Sequence, residues 1–93
     1  MAKVQIYSVF DGAVSAYIQP FYARTKGEAI RMFSQAVNDP QSQLAKHYLD
    51  YTMFYLGEFD DGSGLFLPVT VPQRVLAATE CRDGEDLVLP PSR

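Results

Sequence analysis

The chain has little of what most site chemistry needs. It has one cysteine, one histidine and no tryptophan in 93 residues. One thiol, Cys81, excludes an internal disulfide and fits a reducing compartment. His47 and Cys81 are too few for a zinc site, which needs three or four ligands of these types. No Gly-rich phosphate loop and no nucleophile–base constellation occurs, so no enzyme and no cofactor are expected. Glu58, Asp60 and Asp61 lack the Ca²⁺-loop spacing and read as part of a polar hairpin turn, so no metal is expected. No run approaches the roughly 20 apolar residues of a membrane span, and MAKVQIYSVF carries no secretion-signal pattern. Positive charge is also scarce. The net charge is −3, which argues against a general basic coat for nucleic acid.

What remains is apolar and aromatic. Hydrophobic residues make up 47% of the chain, with six Phe and six Tyr, enough for the core of one small domain. That many rings in so short a chain also make self-association a reasonable expectation. Charge is uneven. Residues 1–56 carry Lys3, Arg24, Lys26, Arg31 and Lys46 against Asp11, Glu28, Asp39 and Asp50, a balance of +1. Residues 57–93 have three Arg against seven acids, a balance of −4.

Tyr51–Gly64 is the organising stretch. Tyr51, Met53 and Tyr55 alternate with Thr52, Phe54 and Leu56 at strand period, and both sides are apolar, as in a central strand. Asp60-Asp61-Gly62-Ser63-Gly64 then turns the chain. Lys3–Phe10 and Ala16–Ala23 read as earlier strands, the second broken or at an edge because of Pro20. Thr25-Lys26-Gly27-Glu28 is a capping box. In it Glu28 is expected to reach back to the amide of residue 25. The helix it opens should run to about Val37, with an apolar stripe of Ala29, Ile30, Phe33, Ala36 and Val37. Ser42 can cap a short helix over Gln43–Tyr48. Leu65–Val71 is a fourth strand, and Gln73–Thr79 could form a helical turn.

The predicted fold is α+β: an antiparallel sheet of about four strands, β-β-α-β-β, with one main helix on one face. A single domain is expected over residues 1–79, with an acidic, mobile tail over 80–93. Placing Val4, Ile6, Phe10, Ile18, Phe54 and Leu56 under the helix leaves Lys3, Gln5, Tyr7, Tyr17, Tyr51, Met53 and Tyr55 on the other side. That tyrosine face has three readings: a homodimer interface, a surface covered by the C-terminal segment, or a platform for unpaired bases. In the third, Tyr7, Tyr17, Tyr51 and Tyr55 would stack, and Lys3, Arg24, Lys26 and Arg31 would hold phosphates. The acidic tail would compete with the strand.

Several runs carry a likeness. They are Ile6-Tyr7-Ser8-Val9-Phe10-Asp11, Pro20-Phe21-Tyr22, Thr25-Lys26-Gly27-Glu28-Ala29-Ile30-Arg31, Asn38-Asp39-Pro40, His47, Asp50 through Gly57, and Phe59-Asp60-Asp61. Together they resemble the small nonstructural protein of gokushoviruses, single-stranded DNA phages of the microvirus family. The likeness covers about residues 3–66. It implies a non-capsid accessory protein of phage DNA synthesis in the host cytoplasm, whose partner is single-stranded DNA or a phage or host replication protein. It supplies no catalytic mechanism and no site residues.

Overall fold

The first strand owes its length to unbroken alternation without proline or glycine. In the computed structural model, which describes residues 3–82, β1 spans Lys3–Asp11. Asp11 accepts from the amide of Ala13 in the turn that follows, at 3.0 Å. The return segment is split around Pro20, which has no amide to donate, into β2 (Ala16–Tyr17) and β3 (Phe21–Ala23), both paired with β1. β4 (Tyr51–Asp60) lies antiparallel on the other side of β1, and β5 (Leu65–Ala77) lies outside β4. The fold is therefore α+β, an antiparallel sheet curled as a half-barrel with one main helix.

That helix is α1, Lys26–Val37. The Thr25 hydroxyl accepts from the Glu28 amide at 3.1 Å, as the capping box requires. The Glu28 carboxylate reaches the amide of Arg24 at 2.6 Å, one residue earlier than expected. A four-residue helix, α2 (Gln43–Lys46), starts at Ser42, whose hydroxyl accepts from Ala45 and donates to the Ala36 carbonyl. A 3₁₀ turn over Tyr48–Asp50 leads into β4.

On β1 and β4 the side of the sheet that α1 covers is the reverse of the expected one, whereas Ile18 does lie beside Met32 and Phe33 of α1, as expected. Directly opposed residues share a face, and the pairs Tyr7↔Tyr55, Val9↔Met53 and Tyr7↔Phe21 all point toward the helix. Ala29, Phe33 and Val37 of α1 join Tyr7, Val9, Ala23, Tyr51 and Met53 in one buried cluster. Val4, Phe10, Phe54 and the residues beside them form the far face. The reason is chemical. Tyrosine can bury its ring and keep its hydroxyl at the core's rim. The Tyr55 hydroxyl donates to Gln5 Oε1 at 2.9 Å, and Tyr51 sits against the Asp11 carboxylate.

Register shifts change the alternation at three places, one between β1 and β4 and two between β4 and β5. Between Tyr55 and Gly57, β4 has one extra residue, Leu56, relative to β1. Beyond this bulge Glu58 shares a side with Gln5, and Phe59 shares one with Val4. On β5, the residues between Pro68 and Gln73 stand opposite that same short stretch of β4. β5 also runs past the expected end, to Ala77, so that strand followed by a 3₁₀ turn (Ala78–Glu80) replaces the helical turn. Ala78 is fully buried, Asn38 donates to the Cys81 carbonyl at 3.0 Å, and the Arg82 guanidinium lies 4.0 Å from the centre of the Tyr48 ring. Residues 80–82 thus pack on the domain. The mobility expected of the remainder of the tail lies outside the described residues.

Candidate nucleic-acid interface

The sheet face away from α1 carries two groups of rings. At one end Phe10, Tyr17 and Phe54 meet edge to face, with centroids 5.0 Å (Phe10–Tyr17), 5.5 Å (Tyr17–Phe54) and 6.3 Å (Phe10–Phe54) apart. At the other end Phe59 touches Tyr22 at 6.3 Å and Phe66 at 5.1 Å. Ile6 and Ser8 lie between the groups and are buried; the Ser8 hydroxyl donates to the Ile18 carbonyl at 2.7 Å. Of these rings Tyr17 is 44% exposed, Tyr22 44% and Phe66 57%, while Phe10, Phe54 and Phe59 are half-buried. Val4, Tyr22, Phe59 and Phe66 border a shallow hollow of about 360 Å³, with Asp61 at its edge. No described residue covers it.

Cations gather at the same end. Tyr22 is two residues before Arg24, and Lys3 precedes Val4, the cross-strand partner of Phe59. Lys26 opens α1. Around the edge of β3, on the helix side, lies a groove of about 340 Å³. Its floor is Gln5, Tyr7 and Tyr55; Arg24, Thr25 and Lys26 form one wall, and Gln73 and Arg74 the other. Arg74 is tied to Glu80 at 3.1 Å, and Glu80 also accepts from the Ala77 amide at 2.8 Å. These two bonds hold the Glu80 carboxyl below the usual glutamate range, the backbone bond first.

The structure therefore divides the expected site. Tyr7, Tyr55, Arg24 and Lys26 meet in the groove. Tyr17 lies on the open face, and Lys3 lies at the start of β1. Arg31 is exposed on α1 and does not line the groove. Tyr51 is only 9% exposed and Tyr7 2%, so neither offers a ring face to a base. The rings that do, besides Tyr17, are Tyr22 and Phe66. Their signal was blurred by the bulge at Leu56 and by the inverted helix side.

Burial pushes the phenols of Tyr7, Tyr51 and Tyr55 above the ordinary tyrosine range. The neighbouring Tyr55 adds to the effect at Tyr7, Asp11 and Asp50 add at Tyr51, and Glu58 adds at Tyr55. A raised folded value means that the unfolded chain ionises first, near 10.0. Stability from these groups is complete below that pH and is lost as pH rises through the folded values. The melting temperature is expected to fall as pH is raised from about 9 to about 11. With no tryptophan present, tyrosinate absorbance can be followed in the same samples. An unchanged melting temperature across that range would contradict this placement of the tyrosines.

Among the described residues, no three His, Cys, Asp or Glu side chains are grouped to hold a metal ion. No helix among them is long and apolar enough to cross a membrane. No curated protein and no solved structure matches the chain. A family match, described as Phage ORF5 protein, covers residues 4–81. It takes in every strand, both helices and the closing 3₁₀ turn over Ala78–Glu80. The chain belongs to the Phage ORF5 protein family.

Proposed function

We propose that this phage protein is a non-enzymatic accessory factor of viral DNA synthesis that binds single-stranded DNA on the open aromatic face of its sheet. The observation that carries the reading is the set of exposed rings, Tyr17, Tyr22 and Phe66, on the sheet face away from the α1 core. Sheets that present aromatic rings hold unpaired bases by stacking, which tolerates any sequence. Lys3, Arg24 and Lys26 flank the Tyr22 end, where a backbone crossing the β3 edge would pass. The resemblance to the gokushovirus nonstructural protein supports the same role, in the host cytoplasm.

Stacking on one ring is worth about 1–3 kcal/mol. Tyr22→Ala and Phe66→Ala are each expected to weaken binding to a labelled oligonucleotide by roughly tenfold, with little change in melting temperature. Three phosphate contacts give a shallow salt dependence, a log–log slope of roughly −2. Removing residues 83–93, which carry Asp83, Glu85 and Asp86 against Arg93, should strengthen binding. If neither the full chain nor the truncated one binds at low salt, the reading fails.

The acidic Asp61 at the hollow's edge favours a second reading, a homodimer through the same rings acting on a phage or host replication protein. Solution mass separates the two. A dimer that Phe66→Glu converts to monomer, without any oligonucleotide binding, would replace the first reading.

A further inference from the structure

The hollow at the Tyr22 end of the ring face has one acid among its rings. Among the described residues, three acids lie at this end of the sheet: Glu58, Asp60 and Asp61. Two of them are occupied. Glu58 accepts from the Gln5 amide nitrogen at 3.4 Å, and the two residues are cross-strand partners. Asp60 Oδ1 accepts from the Gly62 amide at 2.9 Å inside the turn. The other bonds of that turn run from the Gly64 amide to the Asp60 carbonyl at 2.8 Å and from the Leu65 amide to Ser63 Oγ at 3.2 Å. The turn therefore closes without the carboxylate of Asp61. That residue is exposed and borders the hollow with Val4, Tyr22, Phe59 and Phe66.

A carboxylate beside a surface that holds a polyanion repels the phosphates of every strand. It has one favourable use there. An ionised carboxylate only accepts hydrogen bonds, and its two oxygens can take two parallel donors. The bases differ in what they offer it. Guanine carries an N–H and an amino group side by side on its pairing edge. Cytosine and adenine each carry an amino group, and an acid accepting from cytosine N4 is a known pairing. Thymine sets a carbonyl on either side of its single N–H, and both carbonyls repel a carboxylate. Stacking alone is blind to these differences. The hollow, about 360 Å³, is of ligand-pocket size. Tyr22 and Phe66 are exposed enough to take the plane of a base, and the half-buried Phe59 touches both rings.

We infer that the hollow is a base-selective subsite, in which a base stacked on Tyr22 or Phe66 turns its pairing edge to the Asp61 carboxylate. Guanine is favoured there and thymine disfavoured. This rests on the strand-binding reading and adds to it a residue that sets base preference.

The test titrates the full chain with four strands of equal length: all thymidine, all deoxycytidine, all deoxyadenosine, and thymidine alternating with deoxyguanosine. The guanine-bearing strand is expected to bind about tenfold more tightly than the all-thymidine strand. Asp61→Asn keeps the size of the side chain and removes its charge. It should weaken the guanine-bearing strand about fivefold and leave the all-thymidine strand as tight as before or slightly tighter. Its melting temperature should not change, because no bond of the turn uses the Asp61 carboxylate. A carboxylate that acts through repulsion alone would give equal gains on all four strands in Asp61→Asn, and that result overturns the inference. Equal affinity of the unaltered chain for the four strands also overturns it, while strand binding on the rings stands. Absence of binding to any strand removes both readings, and a dimer by solution mass then gives the hollow to a second copy of the chain.

Discussion

Met53→Ala is expected to destabilise the domain by about 2–5 kcal/mol, seen as a lower urea midpoint with an unchanged slope. Met53 is fully buried, opposite Val9 on the helix side of the central strand. Truncating it leaves a cavity between sheet and helix that neither can easily close. A domain of this size has about 5–10 kcal/mol of stability in all, so the variant should sit near the edge of folding. Tyr22→Ala, at a ring 44% exposed on the opposite face, should cost about 1 kcal/mol or less. The contrast tests which side of the sheet is core. Similar losses for the two variants would mean that something covers the ring face as α1 covers the other.

Gly57→Ala should be nearly as damaging, by a different route. Gly57 has φ +141°, where side chains other than hydrogen are strained. A Cβ there would lie 2.5 Å from the Leu67 carbonyl oxygen and 2.7 Å from the Pro68 Cα. Both are backbone atoms of β5, so nothing flexible can yield. Strain and crowding together are expected to cost about 3 kcal/mol, or roughly 12–24 °C in melting temperature. Because Gly57 sets the approach of β5 after the bulge, the variant should also loosen the Phe59–Phe66 contact and weaken oligonucleotide binding. Gly64→Ala makes a useful comparison. Gly64 also has positive φ, but nothing lies within 4 Å of an added Cβ, so only the strain remains. Equal losses at the two positions would contradict the close approach at Gly57.

Local chemistry was legible in the sequence wherever a few neighbouring residues decide it. The Thr25 and Ser42 caps, the stripe of Ala29, Phe33 and Val37, the break at Pro20 and the turn at Asp60–Gly64 all follow from side chains acting within a few positions. The helix side was not legible. Alternation shows which residues share a side, but not which side is covered, and Tyr51, Met53 and Tyr55 compete well with Phe54 and Leu56 for the interior. Sorting by hydrophobicity favoured the wrong row because it ignored the partners of the tyrosine hydroxyls, Gln5 and Asp11, which are distant in sequence. The bulge was also hidden. One extra residue at Leu56 moves Phe59 to the face of Phe54, and only the long-range approach of Pro68 to Gly57 accounts for it. Four of the expected residues, Tyr7, Tyr55, Arg24 and Lys26, meet in the groove because they lie on the side that the helix start overhangs. The ring face could not be assembled without knowing the bulge.

The most direct measurement is photo-cross-linking of the intact protein to an iododeoxyuridine-substituted single strand, with the adducts mapped by mass spectrometry. Stacked bases transfer to the rings they touch, so adducts are expected at Tyr17, Tyr22 and Phe66. Adducts confined to α1 or α2, or none at a concentration where the strand is bound, would contradict the claim that the uncovered aromatic side of the sheet is the binding surface.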